Sequence, residues 1–361
     1  MKSDVVIIGG GHAGGMAAIL LRRNNFKGSI TILSNEAHLP YQRPPLSKDF
    51  LLNELPIEKL YLKTNNYYLK NNISILLNTS VKEIKREQRL VDFGSNKISY
   101  KNLIMATGSI PLSLNLGLNE ANVNYLKDIE DGERIKSLIK SCKKIGIIGS
   151  GFIGLEIASS ARKNKLDVEI IEYENRVMKR SCSIEISDFF KNKHQKELVR
   201  FNFNTSAINI ENLTNNKRIY TNNNNYCDVD FVIAGIGVRP NIKLASDAKL
   251  QINNGIQVDK FCLTSDKAIY AIGDCSNYKN QIYNKRVRLE SVDNAVTQAL
   301  IVSRHIMGLP EEINHVPWFW SNQYNLKLQI AGFNNHADKK IIRGSLDNEK
   351  FSIFHLRAKK I

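Results

Sequence analysis

Two segments of this chain, about 140 residues apart, carry one pattern that few folds accommodate. The first is apolar and β-branched from Ser3 to Ile8 and then reads Gly9-Gly10-Gly11-His12-Ala13-Gly14. An Ala/Met/Leu-rich stretch follows to Arg23, and a second apolar run, Ser29–Leu33, ends beside Asn35-Glu36. The second segment runs from Lys144 to Ile148, reads Gly149-Ser150-Gly151-Phe152-Ile153-Gly154, continues to about Lys163, and closes with Asp167–Ile171 and Glu172. Each predicts a strand, a G-x-G-x-x-G turn, a helix, a second strand and an acidic residue. The acid falls 22 residues after the third glycine in the first copy and 18 after it in the second.

The spacing has a physical logic. The first glycine permits a tight turn, the second lets backbone approach a pyrophosphate, and the third lets helix and strand pack closely. The helix N-terminus supplies free N–H groups and partial positive charge to the phosphates. The acid at the end of the second strand accepts hydrogen bonds from a ribose hydroxyl pair. Two such units imply two dinucleotides, of which the natural pair is a flavin and a nicotinamide. Three further strand-to-glycine segments agree with two α/β nucleotide units: Leu103–Ser109, Phe231–Pro240 and Ala268–Asp274. They add Ala106, Thr107, Gly108, Gly235, Gly237, Gly273 and Asp274 as candidate cofactor contacts.

A chain of 361 residues is long enough for two or three domains, and 42% hydrophobic with 24% charged residues excludes a disordered or fibrous chain. No apolar run approaches the ~20 residues of a membrane helix. The opening Met1-Lys2-Ser3-Asp4 lacks a signal-type apolar region, so a cytoplasmic location is expected. Five scattered cysteines (142, 182, 227, 262, 275) form no C-x-x-C and no close pair, which argues against a disulfide framework, a metal site or a redox-active dithiol. The net charge of +16 favours acidic partners. No basic stripe with interleaved aromatics is present, so nucleic acid is not the expected partner, nor is a membrane.

Three segments are more specific than the fold. They are Leu39-Pro40-Tyr41-Gln42-Arg43-Pro44-Pro45-Leu46-Ser47-Lys48-Asp49-Phe50, Arg288-Leu289-Glu290-Ser291-Val292-Asp293-Asn294-Ala295, and Val316-Pro317-Trp318-Phe319-Trp320-Ser321-Asn322-Gln323. Through them the chain resembles the FAD-dependent, NADH-using ferredoxin reductases that serve P450 or Rieske-type oxygenases, along residues 4 to about 357. The resemblance implies an α/β architecture with two Rossmann-like domains. A discontinuous FAD domain is expected at 1–110 and 235–312, an NAD domain at 111–234, and a shortened, incomplete α+β domain at 313–361.

The resemblance also implies roles. Gly9, Gly11, His12, Ala13 and Gly14 should wrap the FAD pyrophosphate, and Asn35 or Glu36 should meet the adenosine ribose. Arg43 and Lys48, on either side of a rigid Pro44-Pro45 kink, should bring positive charge to the pyrophosphate and the flavin edge. Val81 should contact adenine, Asp274 the ribityl hydroxyls and Val292 the flavin pyrimidine end, with Glu290 and Ser291 beside it as further cofactor-binding candidates. Trp320 should lie against the isoalloxazine, with Trp318 the weaker candidate. Lys127 stands where relatives sometimes have Arg, while Ile110 and Leu112 replace a frequent Arg. At the second turn Gly149, Gly151, Phe152, Ile153 and Gly154 should hold NADH, with Glu156 near the nicotinamide. Glu172 should reject the 2′-phosphate of NADPH, and Arg176 is the one feature arguing otherwise.

Lys48, Glu156 and Trp320 are the expected catalytic residues. The implied reaction takes a hydride from NADH onto FAD and passes single electrons to an acidic [2Fe–2S] ferredoxin. Rubredoxin is the alternative acceptor. A flavoprotein acting mainly by binding, like apoptosis-inducing factor, is the alternative of another class. The expected assembly is a monomer or weak dimer.

Overall fold

The β-branched run at the N-terminus becomes β1 (Lys2–Ile8), an inner strand of a mixed sheet that is parallel on both sides of it. It lies between β2 (Ile30–Leu33) and the strand Lys97–Met105, parallel to both, with Ile7 level with Ile32 and Ile104. A strand covered on both faces needs no alternation of apolar and polar residues. Val5, Val6, Ile7 and Ile8 are accordingly all buried. Helix α1 (His12–Arg23) buries Ala13, Ala17, Ala18 and Leu21, and its last turn carries Arg22 and Arg23, matching the negative end of the helix dipole. A second helix, Val292–Ile306, packs along α1. The distant strand Ile269–Ala271 joins the same sheet, parallel to Lys97–Met105.

The computed structural model describes residues 1–116, 123–333 and 337–358, with the terminal Lys359-Lys360-Ile361 outside them. Two units are present. One comprises Met1–Arg43, Pro56–Ile110 and Val238–Phe319, the other Pro44–Leu55, Pro111–Gly237 and Trp320–Ile361. The expected boundaries had put residues 44–55 with the first nucleotide unit and set 313–361 apart. By contact, 44–55 and 320–361 cluster with the second unit.

In that second unit β3 (Lys144–Ile148) is flanked in parallel by β4 (Asp167–Ile171) and by Phe231–Ala234. Val199–Asn202 and Val123–Asn124 complete a five-stranded parallel sheet. Helices α2 (Phe152–Lys163) and α3 (Ile184–Lys196) contribute Leu155, Ile157, Ala158 and Phe190 to its core. Leu51 and Leu326 are in the same core, which explains why the flanking segments belong to this unit. Phe50 lies where Gly132 leaves room: a Cβ on Gly132 would stand 2.9 Å from the Phe50 ring. Leu326 opens β6 (Leu326–Ala331), paired with β5 (Trp318–Gln323). Lys339–Ser345 and Lys350–Leu356 form a further antiparallel pair.

Candidate active site

The first glycine turn has the geometry its sequence demands. Gly9 sits at φ +112°, and a Cβ there would overlap the Ala106 carbonyl oxygen. A Cβ on Gly14 would overlap the carbonyl oxygen of Gly9, so this glycine sets how closely α1 approaches β1. Gly11 differs: a Cβ there would meet only the Arg43 guanidinium, at 3.8 Å. Gly11 caps α1 without a side-chain hydrogen bond, and no acid stands in the first turn. The helix N–H groups therefore face an open space beside a cation, which suits a phosphate. His12 has a buried Nδ1 with no partner, and burial followed by the charge of Arg43 pushes its pKa down to about 4. These residues fit a dinucleotide diphosphate.

Around that turn, Glu36 is held by Arg43 (2.5 Å) and by the Tyr41 hydroxyl (2.6 Å), and Arg43 also donates to Tyr41. Asn35, the other ribose candidate, is exposed. Asp274 accepts from the Ser109 hydroxyl at 2.8 Å, and Gly273, at φ +73°, lies close to Ala13. Ala106 is buried, Gly108 turns the chain at φ +67°, and Thr107 Oγ1 donates to the Asn241 carbonyl. Ser291 caps the helix that begins at Val292 by accepting from the Asn294 N–H. Glu290 points outward and pairs with Arg288. Val81 is half-buried, two residues before the strand Glu83–Lys85.

The second turn repeats the first. Gly149 has φ +97°, with a Cβ position 2.6 Å from the Gly235 carbonyl oxygen, and Gly154 abuts the Gly149 carbonyl. Gly151 caps α2 without a side chain, again with no acid in the first turn. Phe152 is half-buried and Ile153 exposed at the open end of the helix. Gly237, at φ +110°, accepts from the Leu112 N–H. Lys127 lies just ahead of the helix Ile129–Ser141, its N–H tied to Asp131.

Glu172 is buried, with one oxygen taking both the N–H and the hydroxyl of Ser150 (2.6 and 2.5 Å) and the other the Glu174 N–H. Arg176 is already committed: its guanidinium donates to the carbonyls of Lys179, Cys182 and Ser183 and to the Ser187 hydroxyl. The counter-argument for NADPH therefore loses its cation.

Glu156 lies about one turn into α2 and is buried to 3% exposure. It pairs with Lys48 at 2.6 Å and accepts from Ser47 (2.5 Å) and Ser321 (2.7 Å). Trp320, half-buried on β5, immediately precedes Ser321. Trp318 is exposed. Sequence reasoning named Lys48, Glu156 and Trp320 but missed the hydroxyls of Ser47 and Ser321. Both lie inside the motifs that carried the resemblance, which is the signal that would have found them. It also missed Ser150 and Tyr41, the residues that orient the two acids.

All five cysteines are free. Burial pushes Cys182 and Cys227 up to about 12 and raises Cys262 and Cys275, so none of these four is poised as a thiolate.

With this geometry in place, residues 3–299 match the family described as pyridine nucleotide-disulphide oxidoreductase, and residues 318–361 match a reductase C-terminal family. The chain belongs to the pyridine nucleotide-disulphide oxidoreductases. Rhodocoxin reductase of Rhodococcus erythropolis is 40% identical over 354 residues, covering 97% of this chain and 83% of the relative. A ferredoxin reductase from Rhodopseudomonas palustris superposes with a TM-score of 0.94 at 35% identity, covering 98% of this chain and 89% of that one. A putidaredoxin reductase in covalent complex with putidaredoxin gives 0.95 at 34% identity, with 99% and 87% covered. Within the family the chain is of the ferredoxin-reductase type, whose cofactors are FAD and NAD(H). Among the described residues no helix is long and apolar enough to cross a membrane.

Proposed function

We propose that this oxidoreductase draws electrons from NADH through FAD and delivers them singly to an acidic iron–sulfur ferredoxin serving an oxygenase. The observation that carries the reading is the duplicated glycine turn, twice backed by a helix N-terminus with no side-chain cap. The chemistry that FAD supplies when bound is conversion of a two-electron donor into a one-electron source. The chain's residues do the rest by position and charge. Gly9, Gly11, Ala13 and Gly14 with Arg43 hold the flavin diphosphate, and Asp274, fixed by Ser109, orients its ribityl chain. Gly149, Gly151 and Gly154 hold the nicotinamide nucleotide, and Glu172 accepts from its free ribose hydroxyls. Lys48 supplies the cation for the flavin edge, held in place by Glu156, and Trp320 excludes water there. The four raised thiols support an electron path without a dithiol. Five free cysteines also favour a reducing, cytoplasmic setting.

The net charge of +16 supports an acidic carrier steered in by its field. The test is NADH-driven reduction of cytochrome c with and without acidic ferredoxins, across a range of salt. Stimulation that fades as salt rises is the expected result. Stimulation by rubredoxin alone would reassign the acceptor. Salt-sensitive DNA binding with no NADH-driven electron transfer would replace the reading with the binding-protein alternative.

A further inference from the structure

The second unit contains a continuous line of buried polar side chains running from Glu156 to the turn of the hairpin formed by β5 and β6. Ser321 Oγ lies 2.7 Å from Glu156 Oε1, Gln323 Nε2 lies 3.1 Å from Ser321 Oγ, and His194 Nε2 lies 2.9 Å from Gln323 Oε1. The Tyr324 hydroxyl completes the line, 3.1 Å from His194 Nδ1. Glu156, Ser321, Gln323 and His194 are all at or below 3% exposure.

The carboxylate decides which way every proton in this line points. An ionised Glu156, paired with Lys48, has no hydrogen to give. Ser321 must therefore donate to it, and having one hydrogen must accept from Gln323. That acceptance turns the Gln323 amide nitrogen toward Ser321 and its oxygen toward His194. His194 must then carry its hydrogen on Nε2 and accept on Nδ1, so Tyr324 donates. Burial lowers the His194 pKa to about 4, which keeps the ring neutral as this order requires.

We propose that Tyr324, His194, Gln323 and Ser321 form a one-way chain of donors that holds Glu156, and through it Lys48, in a single arrangement. Tyr324, His194 and Gln323 are thus positioning residues for the reaction proposed above, on which this inference rests. A second observation fits. Tyr324 adopts φ +55°, a left-handed conformation that bulky residues avoid unless their surroundings enforce it. Here three contacts enforce it: its N–H donates to Ser159 of α2 at 2.7 Å, its hydroxyl reaches His194, and its ring lies edge-on to His194 at 4.9 Å. The hairpin that carries Trp320 and Ser321 is thereby registered against the helix that carries Glu156.

The test has two arms on the full-length protein. Nitrogen-15 NMR of the His194 ring should show the neutral Nε2–H form; the Nδ1–H form would overturn the proposal, whatever the enzyme does. The second arm follows bleaching of bound flavin by NADH in Ser321→Ala, Gln323→Leu and Tyr324→Phe. Losing a hydrogen bond to a charged group corresponds to about a tenfold fall in kcat, so Ser321→Ala should lose roughly that. Gln323→Leu should lose less and Tyr324→Phe least, with the KM for NADH unchanged. Unchanged kcat in all three, or a shift in KM alone, would overturn the proposal even if melting temperatures fall. If the unmodified protein fails to bleach with NADH, the functional reading falls while the NMR arm still decides the chain of donors.

Discussion

The two glycine turns share a backbone and differ in what holds their acids. Gly9 and Gly149 adopt nearly the same positive φ, +112° and +97°, and in both units the third glycine abuts the carbonyl of the first. That much is imposed by joining a parallel strand to a helix. Glu36, by contrast, is bound by a cation and a phenol, Arg43 and Tyr41, and keeps 18% of its side chain exposed. Glu172 is buried and bound by neutral donors only, the Ser150 hydroxyl and two N–H groups. The first turn adds positive charge where a diphosphate would lie, as suits a cofactor that stays. The second adds none through its acid, as suits a nucleotide that must leave after each turnover. The turn tells only that a dinucleotide binds; the acid's partners distinguish the two uses.

The largest contrast should appear between acids that pair with cations in each unit. Lys48 and Glu156 are 13% and 3% exposed, whereas Arg43 and Glu36 are 26% and 18% exposed. Removing one partner of a buried pair strands the other charge and costs about 3–5 kcal/mol, while an accessible pair contributes about 1 kcal/mol or less. Glu156→Leu should therefore lower the urea midpoint steeply, and adding Lys48→Met should restore much of it. Glu36→Gln should shift the midpoint little. Equal losses would mean that the two acids are equivalent.

Within the first turn, Gly14→Ala and Gly11→Ala separate packing from binding. A methyl at Gly14 overlaps the Gly9 carbonyl, which should cost about 3 kcal/mol. A methyl at Gly11 meets only a flexible guanidinium end at 3.8 Å, so thermal stability should hold while flavin retention falls. Retained flavin in Gly11→Ala would move the diphosphate elsewhere.

One histidine in each unit, half-buried His12 and buried His194, makes acid sensitivity a third comparison. His12 and His194 both have pKa values near 4, lowered chiefly by burial. Below about pH 6.5 the unfolded chain takes up protons that these folded rings refuse, so stability falls as pH drops from 6.5 toward 4. Each ring accounts for roughly 2–3 kcal/mol over that window. His12→Asn and His194→Gln should each flatten the pH dependence of melting, and an unaltered slope in both would show that neither ring is held neutral.

Nucleotide choice should respond more modestly. Glu172→Ala removes a carboxylate that repels a 2′-phosphate, and a tenfold narrowing of the NADH preference is expected, about 1.4 kcal/mol. Ser150→Ala should narrow it less, because it loosens the carboxylate without removing its charge. Equal bleaching of the unmodified protein by NADH and NADPH would refute the ribose–carboxylate argument.

Much of this was legible in the chain, and the rest was not for definite reasons. The elements His12–Arg23, Lys144–Ile148, Phe152–Lys163 and Asp167–Ile171 follow from local periodicity and glycine placement. Glu156 and Lys48 could be named from motifs, but not their contact, because 108 residues separate them. Residues 44–55 read as part of the first unit; the burial of Leu51 in the core that holds Ile135, Leu155 and Ile157, and the bonds of Ser47 and Lys48 to Glu156, assign them to the second. His194 carried no signal, since a lone histidine on an amphipathic helix becomes meaningful only when Gln323 and Tyr324 fold against it.

The smallest effect should come from the cysteines, although the family's name speaks of disulphides. Cys182 lies in the second unit and Cys262 and Cys275 in the first, and all three are buried. A thiol relay needs a thiolate, and burial raises the pKa of each of these, as it does for Cys227. Replacing all five with serine should lower stability somewhat, because buried thiols pack as small hydrophobes and a hydroxyl there requires a partner. Turnover from NADH to a ferredoxin should stay within about twofold in folded, flavin-loaded protein, since a change of that size is under ~0.5 kcal/mol of barrier. A hundredfold loss, with flavin content and melting temperature preserved, would instead place a sulfur between the two nucleotide sites.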